Sequence, residues 1–199
     1  MTRDPITSAV ATSTRRALRC LLGFFLVVAR ISAATFGAAT DFTPATQAEF
    51  APYYRETGSP TASEHGVAID TVKHHARPAA AELVFNGTTG TYDVTLLAVA
   101  EEDGESIYRL VINGRDQGLR QNPAQSAKRV AVLHRWTGVS VAAGARVQLV
   151  FTGHTNGKIP EGSGTAWSRG RWRTLTLTAA PPPTPRIPQK PSPPHENSL

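Results

Sequence analysis

The chain has 199 residues, a formal net charge of +6, 40% hydrophobic residues, 15 prolines and one cysteine. This length comfortably allows one domain, and a single cysteine excludes a disulfide framework. The positive charge lies mostly at the two ends, because residues 41–178 contain 14 Lys and Arg against 13 Asp and Glu, so this region has no basic surface of the kind that nucleic-acid binding requires.

The N-terminus has the order of segments that is typical of a secretory signal peptide. Arginines precede an apolar run at residues 20–29, and small residues follow it. A helix needs about 20 apolar residues to cross a membrane, so we predict a signal peptide over residues 1–33 and no permanent membrane span after cleavage. An uncleaved anchor is the alternative. The candidate cleavage positions are Ala33, Ala38 and Ala39.

Residues 34–46 are predicted as a linker, and residues 47–178 as a domain of short strands. The clearest strand begins at Tyr92, where apolar side chains occupy every second position. Asn113-Gly114 is the pair that a two-residue type I′ hairpin prefers, because both positions need a positive φ. No stretch after the signal peptide shows a helical period. The other predicted strands lie at 47–54, 65–72, 82–85, 108–112, 115–119, 130–134, 139–142, 146–151 and 173–178.

Short strands separated by Gly, Asn and Pro turns predict an all-β fold, a β-sandwich or jelly roll of about eight antiparallel strands. The segments GTYDVTL (90–96), YRLVING (108–114) and VAAGARVQL (141–149) resemble the strand pattern of galactose-binding-like jelly rolls, among them many bacterial carbohydrate-binding modules. The resemblance covers residues 47–178 and implies this fold and a carbohydrate ligand. The acidic residues that often hold a structural calcium in such families have no match, since the final strand lacks Asp and Glu.

Residues 153–172, between the last two strands, form a long stretch without a strand pattern. Loops of this length are usually functional or disordered. We predict a ligand site here, in which an indole stacks on a sugar ring and polar side chains bind hydroxyl groups or a uronate carboxylate. The candidate ligand-binding residues are His154, Asn156, Lys158, Glu161, Trp167 and Arg169. Alternatively, Trp167 anchors the loop on the sandwich edge while Arg169 and Glu161 form a local ion pair.

A second polar segment is the acidic run at residues 101–105. It has enough oxygen ligands for Ca²⁺ but does not follow the EF-hand loop, so we interpret it as a solvated acidic turn, which rims the ligand site if both loops lie on one edge.

Adjacent His74 and His75 point to opposite faces of a strand and cannot hold one metal ion together. Trp136 and Trp172 are predicted to pack in the core. We therefore predict no metal site and no cofactor.

No catalytic constellation is recognisable in the sequence. Residues 138–142 lack the second glycine of a nucleophile elbow, Ile159 stands where a phosphate loop needs Ser or Thr, and no pair of carboxylates for glycoside cleavage is evident. Residues 179–199 carry eight prolines and are predicted to form a disordered tail.

These observations favour a secreted, periplasmic or cell-surface module that binds a polysaccharide or other glycan without cleaving it, and that has no nucleic-acid partner. One alternative is a structural or interaction protein of the cell envelope without a glycan ligand. The other is a small polysaccharide hydrolase.

Overall fold

The computed structural model describes residues 32–56 and 65–181. Most of the predicted signal peptide and of the predicted tail therefore lies outside the described residues. Within the two described ranges, no helix is long and apolar enough to cross a membrane. The elements in chain order are β1 (Ala33–Gly37), β2 (Thr43–Pro44), β3 (Tyr53–Arg55), β4 (Val67–Ile69), α1 (Thr71–His74), β5 (Ala79–Val84), β6 (Gly90–Ala100), β7 (Ile107–Ile112), β8 (Arg115–Gln121), β9 (Val130–Val141), β10 (Arg146–Thr152), β11 (Pro160–Glu161), β12 (Gly164–Thr165) and β13 (Trp172–Ala179).

The strands form a six-stranded and a five-stranded antiparallel sheet with one hydrophobic core. The first sheet has the order β3-β4-β13-β6-β9, with β1 also paired to β13, and the second has the order β2-β5-β10-β7-β8. This arrangement confirms the predicted all-β sandwich. It has more strands than the eight expected, because β1 and β2 lie largely in the segment predicted as a linker, and β11 and β12 lie in the long loop. Strands β3 and β4 overlap the predicted strands 47–54 and 65–72, but each has only three residues.

The core contains the side chains that the strand periodicity places on one face. In β6, Tyr92, Val94, Leu96 and Ala98 are all buried, as the alternation predicts. The aromatic residues of the core include both tryptophans predicted to be structural, Trp136 and Trp172. The Trp172 indole packs edge-on against Phe42, with the ring centroids 4.9 Å apart.

The segment predicted as a linker, residues 34–46, is part of the sandwich in the structure. Strand β1 pairs with β13, so that Phe36 lies opposite Leu175, and Phe42 is fully buried. Two aromatic residues among small ones show no period in sequence, and the strand that pairs with β1 lies about 140 residues further along the chain. Cleavage near Ala33 would leave β1 in place, whereas cleavage at Ala38 or Ala39 would remove it.

Backbone conformation accounts for two features of the second half. Asn113 and Gly114 have φ values of 48° and 79°, which confirms the predicted hairpin between β7 and β8. Residues 130–134 and 139–142 were predicted as separate strands but belong to one strand, β9. Gly138 has a φ of 68°, and the pairing of β9 with β6 shifts register beside it. This glycine therefore marks a β-bulge rather than a turn.

Candidate functional site

The long loop between β10 and β13 contains a small hairpin of its own. Strands β11 and β12 pair Pro160 with Thr165 and Glu161 with Gly164, and the Ala166 N–H donates to the Ile159 carbonyl over 2.8 Å. We call residues 159–165 the loop tip. Its side chains at positions 161, 163 and 165 are exposed, so the tip presents a carboxylate and two hydroxyl groups to solvent.

The base of the loop is held by buried polar contacts. We call Gly153, His154 and residues 168–171 the loop root. The Ser168 hydroxyl lies 2.7 Å from the Ser106 hydroxyl and also bonds to the backbone of His154. At Gly153 a Cβ atom would lie only 2.4 Å from the Ser168 carbonyl oxygen, so the two ends of the loop approach each other at a distance that only glycine allows.

A buried carboxylate lies beneath the loop root. The Glu101 side chain accepts hydrogen bonds from the Arg171 Nε and from the Arg169 backbone N–H, both over 2.7 Å, and Arg171 also pairs with Glu56. Burial raises the pKa of Glu101 to about 7, and the Arg169 N–H opposes that rise. Burial likewise lowers the pKa of Arg171. Glu101 and Arg171 have thus lost most of their contact with water, and each stabilises the charge of the other. The loop backbone adds the Arg169 N–H as a donor to Glu101.

The acidic run at residues 101–105 lies on the same edge of the sandwich as the long loop. The Asn156 amide donates to the Glu102 carbonyl over 2.8 Å, and the Asn156 N–H donates to the Asp103 carbonyl over 2.9 Å. His154 Nδ1 lies 3.0 Å from a carboxylate oxygen of Glu105. The interpretation as a solvated acidic turn is wrong for Glu101, which is 6% exposed, because its partners lie in a loop 70 residues away.

A cleft of about 620 Å³ opens between the loop tip and α1. The half-buried indole of Trp167 lines it, and the His75 ring lies 5.6 Å from that indole between ring centroids, tilted by 43°. Val72 lines the cleft with 70% of its surface exposed. The cleft thus combines an aromatic and aliphatic platform with polar groups from the tip. The described lining residues are Thr71, Val72, His75, Glu161, Gly162, Ser163, Gly164, Thr165 and Trp167.

The structure brings two of the six predicted ligand-binding residues, Trp167 and Glu161, into this cleft. Three others contact the protein itself: Arg169 donates to the Tyr54 hydroxyl over 3.1 Å, Asn156 bonds to the acidic run, and His154 bonds to Glu105. The sixth, Lys158, is exposed outside the described cleft lining. Within the described residues, Arg169 and Glu161 form no ion pair.

Sequence reasoning missed the contribution of α1. His75 was considered only as a metal ligand, on the assumption of a strand, but the chain turns into a single helical turn at Thr71–His74. The sequence feature that could have indicated this contribution is Val72, a large apolar residue among charged and polar ones. No group of three or more His, Cys, Asp or Glu that could hold a metal ion occurs within residues 32–56 and 65–181.

No protein-family model matches the chain. An uncharacterized protein of Formosa agariphila is 29% identical over 97 residues, which is 47% of this chain and 22% of that protein. The match therefore spans less than a quarter of this relative.

Among solved structures, the chain is similar to the CBM35 of Paenibacillus barcinonensis, at a TM-score of 0.44 and 18% identity over 74% of this chain and 99% of that one. It is also similar to a Podospora anserina GH26-CBM35 β-(1,4)-mannanase, at a TM-score of 0.48 and 15% identity over 77% of this chain and 29% of that one. Carbohydrate-binding modules are thus among the similar structures, as the sequence resemblance predicted. At these values the similarity assigns no ligand and no binding residue to this chain.

Proposed function

We propose that the chain is an exported, non-catalytic carbohydrate-binding module whose ligand occupies the cleft beside Trp167. The observation that carries this proposal is the half-buried Trp167 indole, which lines an open cleft together with the exposed Glu161 carboxylate and the hydroxyl groups of Ser163 and Thr165. An indole offers an apolar face for the C–H side of a sugar ring, and oxygen atoms around it accept from or donate to the ring hydroxyls.

The rigid attachment of the loop supports a role in binding. Its root is held by the Ser106–Ser168 contact and by the Glu101–Arg171 pair, so Trp167 is positioned before a ligand arrives. A ligand that meets an ordered platform does not have to offset the entropy of ordering a 20-residue loop. This matters for a shallow site, where stacking and a few hydrogen bonds supply all of the affinity.

The proposal of binding without cleavage is supported by the carboxylates of the cleft. Glycoside hydrolysis ordinarily uses two carboxyl groups on either side of the scissile bond. Among the described residues that line the cleft, Glu161 is the one carboxylate. The proposal of export is supported by the charged, apolar and small-residue order of the N-terminal sequence.

The test is affinity gel electrophoresis of the protein through a panel of soluble polysaccharides, with a Trp167→Ala variant. We expect the wild-type protein to be retarded by at least one polymer and the variant to bind it about tenfold more weakly, which corresponds to about 1.4 kcal/mol of lost stacking and apolar contact. Leu133→Ala is the matched control, because Leu133 is an exposed apolar side chain, 59% accessible, on β9 rather than in the cleft. It should leave retardation unchanged.

Three results would point elsewhere. Retardation that is equal in the wild type and Trp167→Ala would remove the cleft as the site. No retardation by any polymer, together with a defined oligomer in light scattering, would favour a structural or interaction protein. Release of reducing sugar ends from a polymer would favour the hydrolase.

A further inference from the structure

The charge of the cleft is set by the loop tip. Glu161 is exposed and lines the cleft, next to the hydroxyl-bearing residues Ser163 and Thr165. Among the described lining residues, none is Lys or Arg. A carboxylate is an acceptor only, and it forms strong charge-assisted hydrogen bonds with hydroxyl donors.

Arg169 and Lys158, the cations that the sequence offered for a uronate ligand, lie outside the described cleft lining. The Arg169 guanidinium donates to the Tyr54 hydroxyl, and the charges of Glu101 and Glu161 both act on it and raise its pKa, after the larger effect of the Tyr54 hydrogen bond. The guanidinium is therefore already engaged by Tyr54, and it lies outside the described cleft lining. Lys158 is exposed but lies outside the described lining.

A second acidic group reinforces the negative character of this edge. Burial raises the pKa of Asp103, the Arg169 charge opposes that rise, and the charges of Glu102 and Glu161 add to it. The carboxylates of Glu102, Asp103 and Glu161 thus lie near one another, beside an Arg169 guanidinium that is bonded to Tyr54. A ligand carboxylate brought into the cleft would meet like charge and would also lose part of its water.

We propose that the cleft selects uncharged sugar units and discriminates against uronates, and that Glu161 is the residue that determines this selectivity. The inference rests on the proposed function, since it names the class of glycan for the same cleft. Neutral sugar hydroxyls donate to the Glu161 carboxylate, whereas a uronate in the same position is repelled.

The test compares one polysaccharide in two forms. The neutral polymer that retards the wild-type protein most is used beside the same polymer carrying carboxylate groups introduced at C6, so that linkage and ring geometry stay equal. We expect the wild-type protein to bind the carboxylated form about fivefold more weakly. We call the ratio of the affinities for the two forms the gap. Glu161→Gln should reduce this gap about twofold or more, since exposed charge pairs contribute effects of that size. Raising the salt concentration should narrow the gap for the wild type as well.

Glu49→Gln is the control, because it makes the same change of charge at an exposed residue outside the described cleft lining. It should leave the gap as it is in the wild type. Equal or tighter binding of the carboxylated polymer by the wild-type protein overturns the inference, and so does a gap that Glu161→Gln does not alter, while the proposed function stands in both cases. If neither form of any polymer is bound, the proposed function fails and the inference falls with it. Thermal unfolding of Glu161→Gln shows that the variant is folded.

Discussion

The root and the tip of the long loop are built in opposite ways. At the root, Ser168 and Arg171 are buried and hydrogen-bonded. At the tip, Glu161, Ser163 and Thr165 are exposed and belong to a hairpin of only two residue pairs. The two parts of the loop therefore have different roles: its buried ends determine where the loop lies, and its exposed middle offers groups to a ligand. Substitutions at the root should therefore act on stability, and substitutions at the tip on binding.

The largest expected effect is that of Arg171→Met at the root. Removing the guanidinium leaves Glu101 buried without its charged partner, and breaking a buried pair in this way typically costs about 3–5 kcal/mol. Urea unfolding measures this loss as a lower free energy of unfolding. The double variant Glu101→Gln with Arg171→Met removes both charges and should recover part of the loss. A loss below about 1 kcal/mol in the single variant would show that the pair does not hold the root.

The next-largest effect comes from the same Gly→Ala substitution, made once at the loop root and once at the loop tip. Gly153→Ala places a Cβ atom 2.4 Å from the Ser168 carbonyl oxygen, and forcing atoms into such a space typically costs about 1–3 kcal/mol. In Gly164→Ala the nearest atom is the Glu161 carbonyl oxygen at 4.0 Å, so we expect a change within about 0.5 kcal/mol. Thermal unfolding of both variants tests the comparison. Equal losses would contradict the division between root and tip.

The smallest effect is a pH dependence of stability from His134, which belongs to a chain of polar contacts behind the loop root. His134 bonds to Asn122 over 2.9 Å, and Asn122 contacts Tyr108, whose hydroxyl donates to the Arg171 carbonyl. Burial, with a smaller effect of Arg120, lowers the pKa of His134 from 6.5. The unfolded chain then takes up this proton at a higher pH than the folded chain, so the contribution of His134 is complete above pH 6.5 and is lost as the pH falls below it.

The measurement is the free energy of unfolding at pH 7.5 and 5.5 for the wild type and His134→Gln. Glu101 acts in the opposite direction over the same range, because its pKa is raised to about 7 and acidification favours its protonated, buried form. The effect of His134 is therefore the difference between the two proteins, and the variant should lose less stability on acidification. Identical pH dependence in both would contradict a buried neutral imidazole.

The fold was largely predictable because its information is local. The alternation that begins at Tyr92, the Asn113-Gly114 turn and the strand at residues 173–178 can each be predicted from a few neighbouring residues, and all are found in the structure. Strand β1 could not be recognised in this way, since Phe36 becomes part of the sandwich only through its pairing with β13.

The cleft residues also show that contacts between distant residues cannot be predicted from the sequence pattern. A long glycine-rich loop with Trp167 and Glu161 was visible in the sequence, and both residues line the cleft. The roles of Asn156, His154 and Arg169 were not visible, because a polar side chain in a loop has the same appearance whether its partner is a ligand or a distant backbone group. Here the partners are Glu102, Glu105 and Tyr54.

The class of fold, the position of the long loop and the types of side chain that it carries follow from the amino-acid sequence alone, because periodicity and turn chemistry act between neighbouring residues. The sequence does not indicate which polar groups of that loop are already bonded, which remain exposed, and which second segment completes the cleft. These features depend on burial and hydrogen bonding between residues far apart in the chain, which become visible once the chain is folded. His75 faces Trp167 across more than 90 residues of sequence.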